Sequence, residues 1–212
     1  MKRHLIASLS VLAAAIVSAG FVTQTAENEP IPASSTPVSL PGQDPVIWKV
    51  DKAHSNVNFT ITHLVVSEVD GNFKVFEGTV ETTKEDFSDA KISFTVDASS
   101  INTNNEGRDK HLRSADFFDT EKYPQITFRS TSFKPVGGKK YVLTGVMKIK
   151  DVAREVTFDV TYNGQHDSGR GIKAGFKAKT TIDRTEFGIK GSPTAVGKEV
   201  EISLNIALAK SA

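Results

Sequence analysis

The chain has 212 residues, 38% hydrophobic and 24% charged, the make-up of a folded globular protein and not of a disordered or fibrous one. Its 26 Lys and Arg stand against 25 Asp and Glu, so no bulk charge draws it to nucleic acid or to an anionic membrane. It has no cysteine, which excludes disulfides, thiolate metal sites, a cysteine nucleophile and a lipid-modified N-terminal cysteine.

The first twenty residues, MKRHLIASLSVLAAAIVSAG, begin with Lys2 and Arg3, continue apolar from Leu5 to Val17 and end in small residues. That is the pattern of a secretory signal peptide over 1–19, with cleavage expected after Ala19. The apolar run is too short for a comfortable bilayer span, so the mature chain is expected to have no stable membrane segment. Residues 20–45 are rich in Pro, Ser and Thr without periodicity and are expected to form a flexible linker. The folded domain is expected over 46–212.

From Trp48 onward, apolar and polar residues alternate with period two, the mark of half-buried strands. Val57, Phe59 and Ile61 alternate with Asn56, Asn58, Thr60 and Thr62. The same parity recurs in Ile92, Phe94 and Val96, then Ile126 and Phe128, then Leu143, Met147 and Ile149. It continues in Val156, Phe158, Val160 and Tyr162, in Ala174, Phe176 and Ala178, and in Ile202, Leu204, Ile206 and Leu208. A strand over Phe73 to Thr82 is less cleanly phased, and Ile47 to Asp51 is a candidate first strand. Turns are expected at Asp70-Gly71, Gly137-Gly138, Asn163-Gly164, Gly169 to Gly171 and Gly191 to Pro193. Eight or nine antiparallel strands with one apolar face must close into a barrel or pair into a sandwich, and periodicity alone does not choose. Long strands, hairpin-like connections and the mixture of Phe176 with Ala174 and Ala178 favour the barrel, which at about eight strands has room for one slender ligand.

One stretch breaks the alternation: NNEGRDKHLRSADFFDTEKYP, Asn104 to Pro124. Glu106 to Asp116 is expected to form a short helix, capped by Asn104 or Asn105, with Glu106 and Asp109 in its first turn. Leu112 and Ala115, three apart, are expected to face the sheet, with Phe117 and Phe118 extending the patch. Such an insert suits a barrel mouth, where Arg108 or His111 would meet the polar head of a ligand, and equally suits a surface helix that covers a sheet edge.

The segments VDKAHSNVNFTITHL, GNFKVFEGTV, SSINTNNEGRDKHLRSADFFDTEKYPQITFRST, LTGVMKIKDVAREVTFDV and IDRTEFGI closely resemble the YceI-like family of exported bacterial proteins, over about Trp48 to Ala209. The resemblance implies a lipocalin-like, extended eight-stranded antiparallel β-barrel, a periplasmic location, and an interior that holds a long-chain amphiphile such as a polyisoprenoid, an isoprenoid quinone or a fatty-acid derivative. The family motifs fall on His54 and Ser55, and on Arg108, Asp109, His111, Leu112, Ser114, Phe117 and Phe118.

Parity assigns the ligand tail to Val57, Phe59, Ile61, Phe94, Phe128, Met147, Phe158, Phe176, Ile202 and Leu204. His54, His63 and the seven motif residues of the insert are assigned to the mouth. His63 shares the inward parity of Phe59 and Ile61, a position that also suits a hydrogen-bonded core histidine. His54, His63 and His111 lack any metal-binding spacing, and neither a metal nor a cofactor other than the bound amphiphile is expected. No nucleophile elbow, Walker loop or zinc motif is present, so a binding protein is favoured over an enzyme acting on a lipid substrate and over a solid-core stress protein. A homodimer is compatible with such barrels, and nothing in the sequence demands one.

Overall fold

The computed structural model describes residues 44–211 apart from 170. The signal-peptide reading of 1–19, and all but the last two residues of the 20–45 linker, lie outside the described residues.

Eleven strands build one antiparallel sheet. In chain order they are β1 (Val46–Val50), β2 (Asn56–His63), β3 (Ser67–Phe73), β4 (Phe76–Thr82), β5 (Lys91–Asp97) and β6 (Ile101–Asn102), then, after the helix α1 (Glu106–Arg113), β7 (Gln125–Gly137), β8 (Lys140–Ile149), β9 (Val152–Asp167), β10 (Ile172–Asp183) and β11 (Val196–Lys210). Neighbours run β1-β4-β5-β7-β8-β9-β10-β11, and β1 pairs back onto β11 through Trp48↔Lys210, which closes a barrel. β2, β3 and β6 prolong the staves begun by β1, β4 and β5, so the eleven segments make eight staves. Closure leaves few free strand edges for another chain to pair with.

The period-two reading matches the burial. Tyr141, Leu143, Met147 and Ile149 on β8, and Val156, Phe158 and Val160 on β9, are all buried. On β10, Ala174, Phe176 and Ala178 point inward while Lys173, Lys177 and Lys179 are exposed. Apolar inside and charged outside is the reverse of a lipid-facing barrel. Among the described residues, no helix is long and apolar enough to cross a membrane.

Several expected turns fall elsewhere. Asp70-Gly71 lies inside β3, paired with Thr60 and Phe59 of β2, and the actual hairpin turn is Leu64 to Val66. The stretch expected as one strand over Phe73 to Thr82 is broken at Lys74 and Val75, where β3 ends and β4 begins. Its phase changes there because the backbone turns out of the ladder: the Lys74 N–H donates to the Ser100 carbonyl and the Val75 N–H to Ser100 Oγ. Asn163-Gly164 is not a turn either. It forms a bulge within β9, where Gly175 pairs with Gly164 and Phe176 with Tyr162, leaving Asn163 as the extra residue. The turn at Gly137-Gly138 falls where β7 ends, Gly169 and Gly171 lie between β9 and β10, and Gly191 to Pro193 lie between β10 and β11, as expected.

The insert between β6 and β7 contains the helix, three residues shorter than expected. The side chain of Asn105 caps it by accepting from the Arg108 N–H at 3.0 Å. It ends at Arg113, with Ser114 Oγ donating to the His111 carbonyl. Ala115 therefore lies beyond the helix and is exposed, and Phe117 and Phe118 face the barrel instead.

Candidate functional site

The barrel encloses a cavity of about 390 Å³. All ten residues assigned to the tail line it. They are not equally covered. Phe128, Met147, Phe158 and Phe176 are buried, whereas Phe59, Ile61, Phe94, Ile202 and Leu204 keep partial exposure although they point inward. An inward apolar side chain in mid-strand stays half-exposed only where its neighbours leave a space. The hollow is therefore bordered by β2, β5 and β11.

Glycines keep it open. Gly71 stands opposite Phe59, and Gly78 opposite Phe94, in the strand ladders. A Cβ on Gly78 would sit 2.5 Å from Cδ2 of Phe94, and one on Gly71 would overlap the Phe59 ring. The rings lie flat over bare backbone instead of projecting across the bore. Gly145 accommodates the Phe128 ring in the same way.

The two ends differ. At the end away from α1, the loop between β4 and β5 folds inward and places Phe87 among Trp48, Tyr162 and Phe176, at ring distances of 5.3, 5.8 and 5.1 Å. Phe87 is only 1% exposed and has a positive φ of 59°. The loop holds it there through Asp89, which accepts hydrogen bonds from the hydroxyls of Thr82 and Thr83 and from the Thr83 N–H. Burial raises the Asp89 pKa, but these donors outweigh it and hold the carboxyl well below the ordinary carboxylate range. Tyr141 Oη adds a bond of 2.8 Å to the Asp86 carbonyl.

At the other end the lining turns polar. His63 closes β2, Arg108 and His111 come from α1, and Arg184 follows β10; every ionisable residue that lines the cavity is basic. Leu112, Phe117 and Phe118 of the insert also line it, with Phe118 edge-on to Phe73 at 5.8 Å and His111 edge-on to Phe117 at 5.0 Å.

Six of the nine residues assigned to the mouth thus border the cavity, and three do not. His54 sits on the short turn before β2, exposed, with Nδ1 2.9 Å from Asp51 Oδ2. Asp109 is buried but turned aside, accepting from the N–H and hydroxyl of Thr103. Arg108 Nε donates to the same hydroxyl at 2.7 Å, so Thr103 bridges the two charges and fixes the start of α1. Ser114 caps the helix end. Asp109 and Ser114 thus shape the insert without lining the cavity, and His54 lies outside the insert altogether.

Arg184 was not among the assigned residues. It is 4% exposed and donates only to carbonyls: Gly197 at 2.7 Å, Ile189 at 2.8 Å, Gly191 at 2.9 Å and Val196 at 2.9 Å. Burial pulls its pKa down, and the neighbouring Asp183 opposes this. Its guanidinium clamps the loop that leads into β11, and Gly191 of that loop donates to the Asp116 carbonyl of the insert. The signal for it was present, since residue 184 continues the inward parity of Phe176, Ala178 and Ile182. Phe87 was also missed, as a lone aromatic in a polar loop. Among the described residues, no group of three or more His, Asp or Glu is placed to hold a metal ion.

The model of the YceI-like domain matches residues 48–208. Protein YceI of Escherichia coli is 40% identical over 162 residues, covering 75% of this chain and 84% of that protein. Among solved structures, BcnA of Burkholderia cenocepacia superposes with a TM-score of 0.68 at 28% identity, over 74% of this chain and 98% of that one. A polyisoprenoid binding domain from Saccharophagus degradans shares the fold, with a TM-score of 0.58 at 12% identity over 77% of this chain and 98% of its own. The barrel, its insert and these likenesses agree: the chain belongs to the YceI-like family.

Proposed function

We propose that the protein is a non-enzymatic carrier that holds one long-chain amphiphile, its tail along the bore toward Phe87 and its head at the insert end. The observation that carries this reading is the apolar cavity of about 390 Å³ inside the barrel, within the size range of ligand sites. Each buried methylene contributes roughly 0.8 kcal/mol, so a ten-carbon tail gains about 8 kcal/mol before ordering costs. No reacting group is needed for that. The polar groups of the insert are engaged in holding it, Arg108 and Asp109 on Thr103 and Arg113 on the carbonyls of Ser99 and Ile101, which supports binding over catalysis. A polyisoprenoid, an isoprenoid quinone or a fatty-acid derivative fits the bore's chemistry. The fold shared with the Saccharophagus degradans domain, described as polyisoprenoid binding, is consistent with the first. The basic start and apolar run to Val17 support export and action in the periplasm.

The test is mass spectrometry of organic extracts from protein purified out of its native host, beside the Ile202→Asp variant. A chain amphiphile at near one per protein in the wild type, and its loss in the variant, is the expected result. An empty wild-type extract, with no uptake of palmitic acid or solanesol on incubation, would overturn the reading.

A further inference from the structure

The β2–β3 hairpin ends in Leu64, Val65 and Val66, which are 55%, 91% and 86% exposed. Among the described residues, the other exposed large aliphatics, Ile47, Val75, Val136 and Val146, are separate in sequence, so three in a row are unusual on this surface. The turn itself does not call for them. Leu64 and Val65 hold φ values of 51° and 64°, a geometry that Asn-Gly adopts easily and a β-branched residue adopts at a cost. The tip adjoins the cavity mouth. His63, which lines the cavity, precedes it directly and pairs with Val196, another lining residue. The Leu64 N–H donates to the Ala195 carbonyl at 2.7 Å.

We infer that this tip docks the barrel on a lipid bilayer, dipping its aliphatic side chains into the interface so that a chain passes between membrane and bore without crossing water. The inference rests on the carrier reading for its cargo, not for the docking itself. Three side chains fall well short of the roughly 800 Å² that each partner gives to a stable protein interface, which argues against a second copy. A bilayer asks for no matching surface, only for apolar groups that can reach below the headgroups. Near the tip the ladder places Glu68 opposite Thr62, and Lys198 follows two residues after Val196, the partner of His63; their opposite signs favour insertion over charge as the source of attraction.

The absence of cysteine allows a clean test. The full chain carrying Val65→Cys, labelled with an environment-sensitive fluorophore, is mixed with phosphatidylcholine vesicles. The same label at Val136→Cys, in the turn region at the opposite end, serves as the control. A blue shift and brightening at 65 but not at 136, unchanged in high salt, is expected. No change at 65, an equal change at both sites, or a change at 65 that grows with protein concentration in the absence of vesicles would overturn the inference, the last pointing to self-association. A second arm measures uptake of anthroyloxy-labelled stearic acid. The Val65→Asp/Val66→Asp variant is expected to take it from vesicles about tenfold more slowly, with unchanged affinity for the same probe presented in detergent. Equal rates would also refute the inference. Should the tip insert while neither protein takes up the probe, the carrier reading fails and the docking stands.

Discussion

The ring of Phe59 on β2 lies where the Cβ of any larger residue at Gly71 on β3 would stand. The two positions are directly opposite in the ladder, so the ring has one way to avoid the bore: to lie across the bare backbone of its partner. Gly71→Val would push the ring into the hollow. We expect it to weaken binding of a long-chain probe at least tenfold and to destabilise the fold by about 1–3 kcal/mol, as overpacking does. Titration with cis-parinaric acid and a thermal melt check both; unchanged affinity would mean that the ring finds another rotamer.

Phe87 sets how deep a chain can go. Its ring plugs the end of the bore against Trp48 and Phe176. Phe87→Ala should lower stability by about 3–5 kcal/mol and move the optimal chain length upward in a series of saturated fatty acids. Phe87→Leu should move it in the same direction by less. An optimum that stays fixed in a folded Phe87→Leu protein would remove the residue from its role as a stop.

Asp89 links that plug to pH. Its folded-state pKa is depressed, so its contribution to stability is present above the ordinary carboxylate pKa and is lost as pH falls through the folded value. Chemical denaturation should therefore show wild-type stability falling with acid below about pH 4. Asp89→Asn should be less stable at pH 7 and flatter across that acid range.

Arg184 is the cation whose loss should do most harm. Its guanidinium makes four bonds, two to Ile189 and Gly191 in the loop that joins β10 to β11 and two to Val196 and Gly197 at the start of β11. Lysine cannot reproduce that fork, so Arg184→Lys should cost about 2–4 kcal/mol and loosen the mouth. Hydrogen exchange at Ile189 to Gly197 would show it; protection equal to wild type would contradict the clamp.

Affinity for a neutral chain such as solanesol should hardly respond to salt, since tail burial supplies the energy. A steep loss with ionic strength would point instead to the basic mouth residues.

The sequence by itself determined the sheet and which side of each strand faces in, because a period-two pattern is a local property of the backbone. It also marked the insert, through a cap and a break in that pattern. What only the tertiary structure decided depends on contacts between residues distant in the chain. Asp70-Gly71 and Asn163-Gly164 carry the same turn chemistry as Gly137-Gly138, but a facing phenylalanine claims one as bare wall and a bulge absorbs the other. Asp109 and His54 belong to the motifs yet turn away from the bore, toward Thr103 and Asp51, while Arg184 turns in. Parity fixes a side of the sheet. Whether that side meets a packed neighbour or an open space is set by the register that closes β1 onto β11, and that register is a property of the whole barrel.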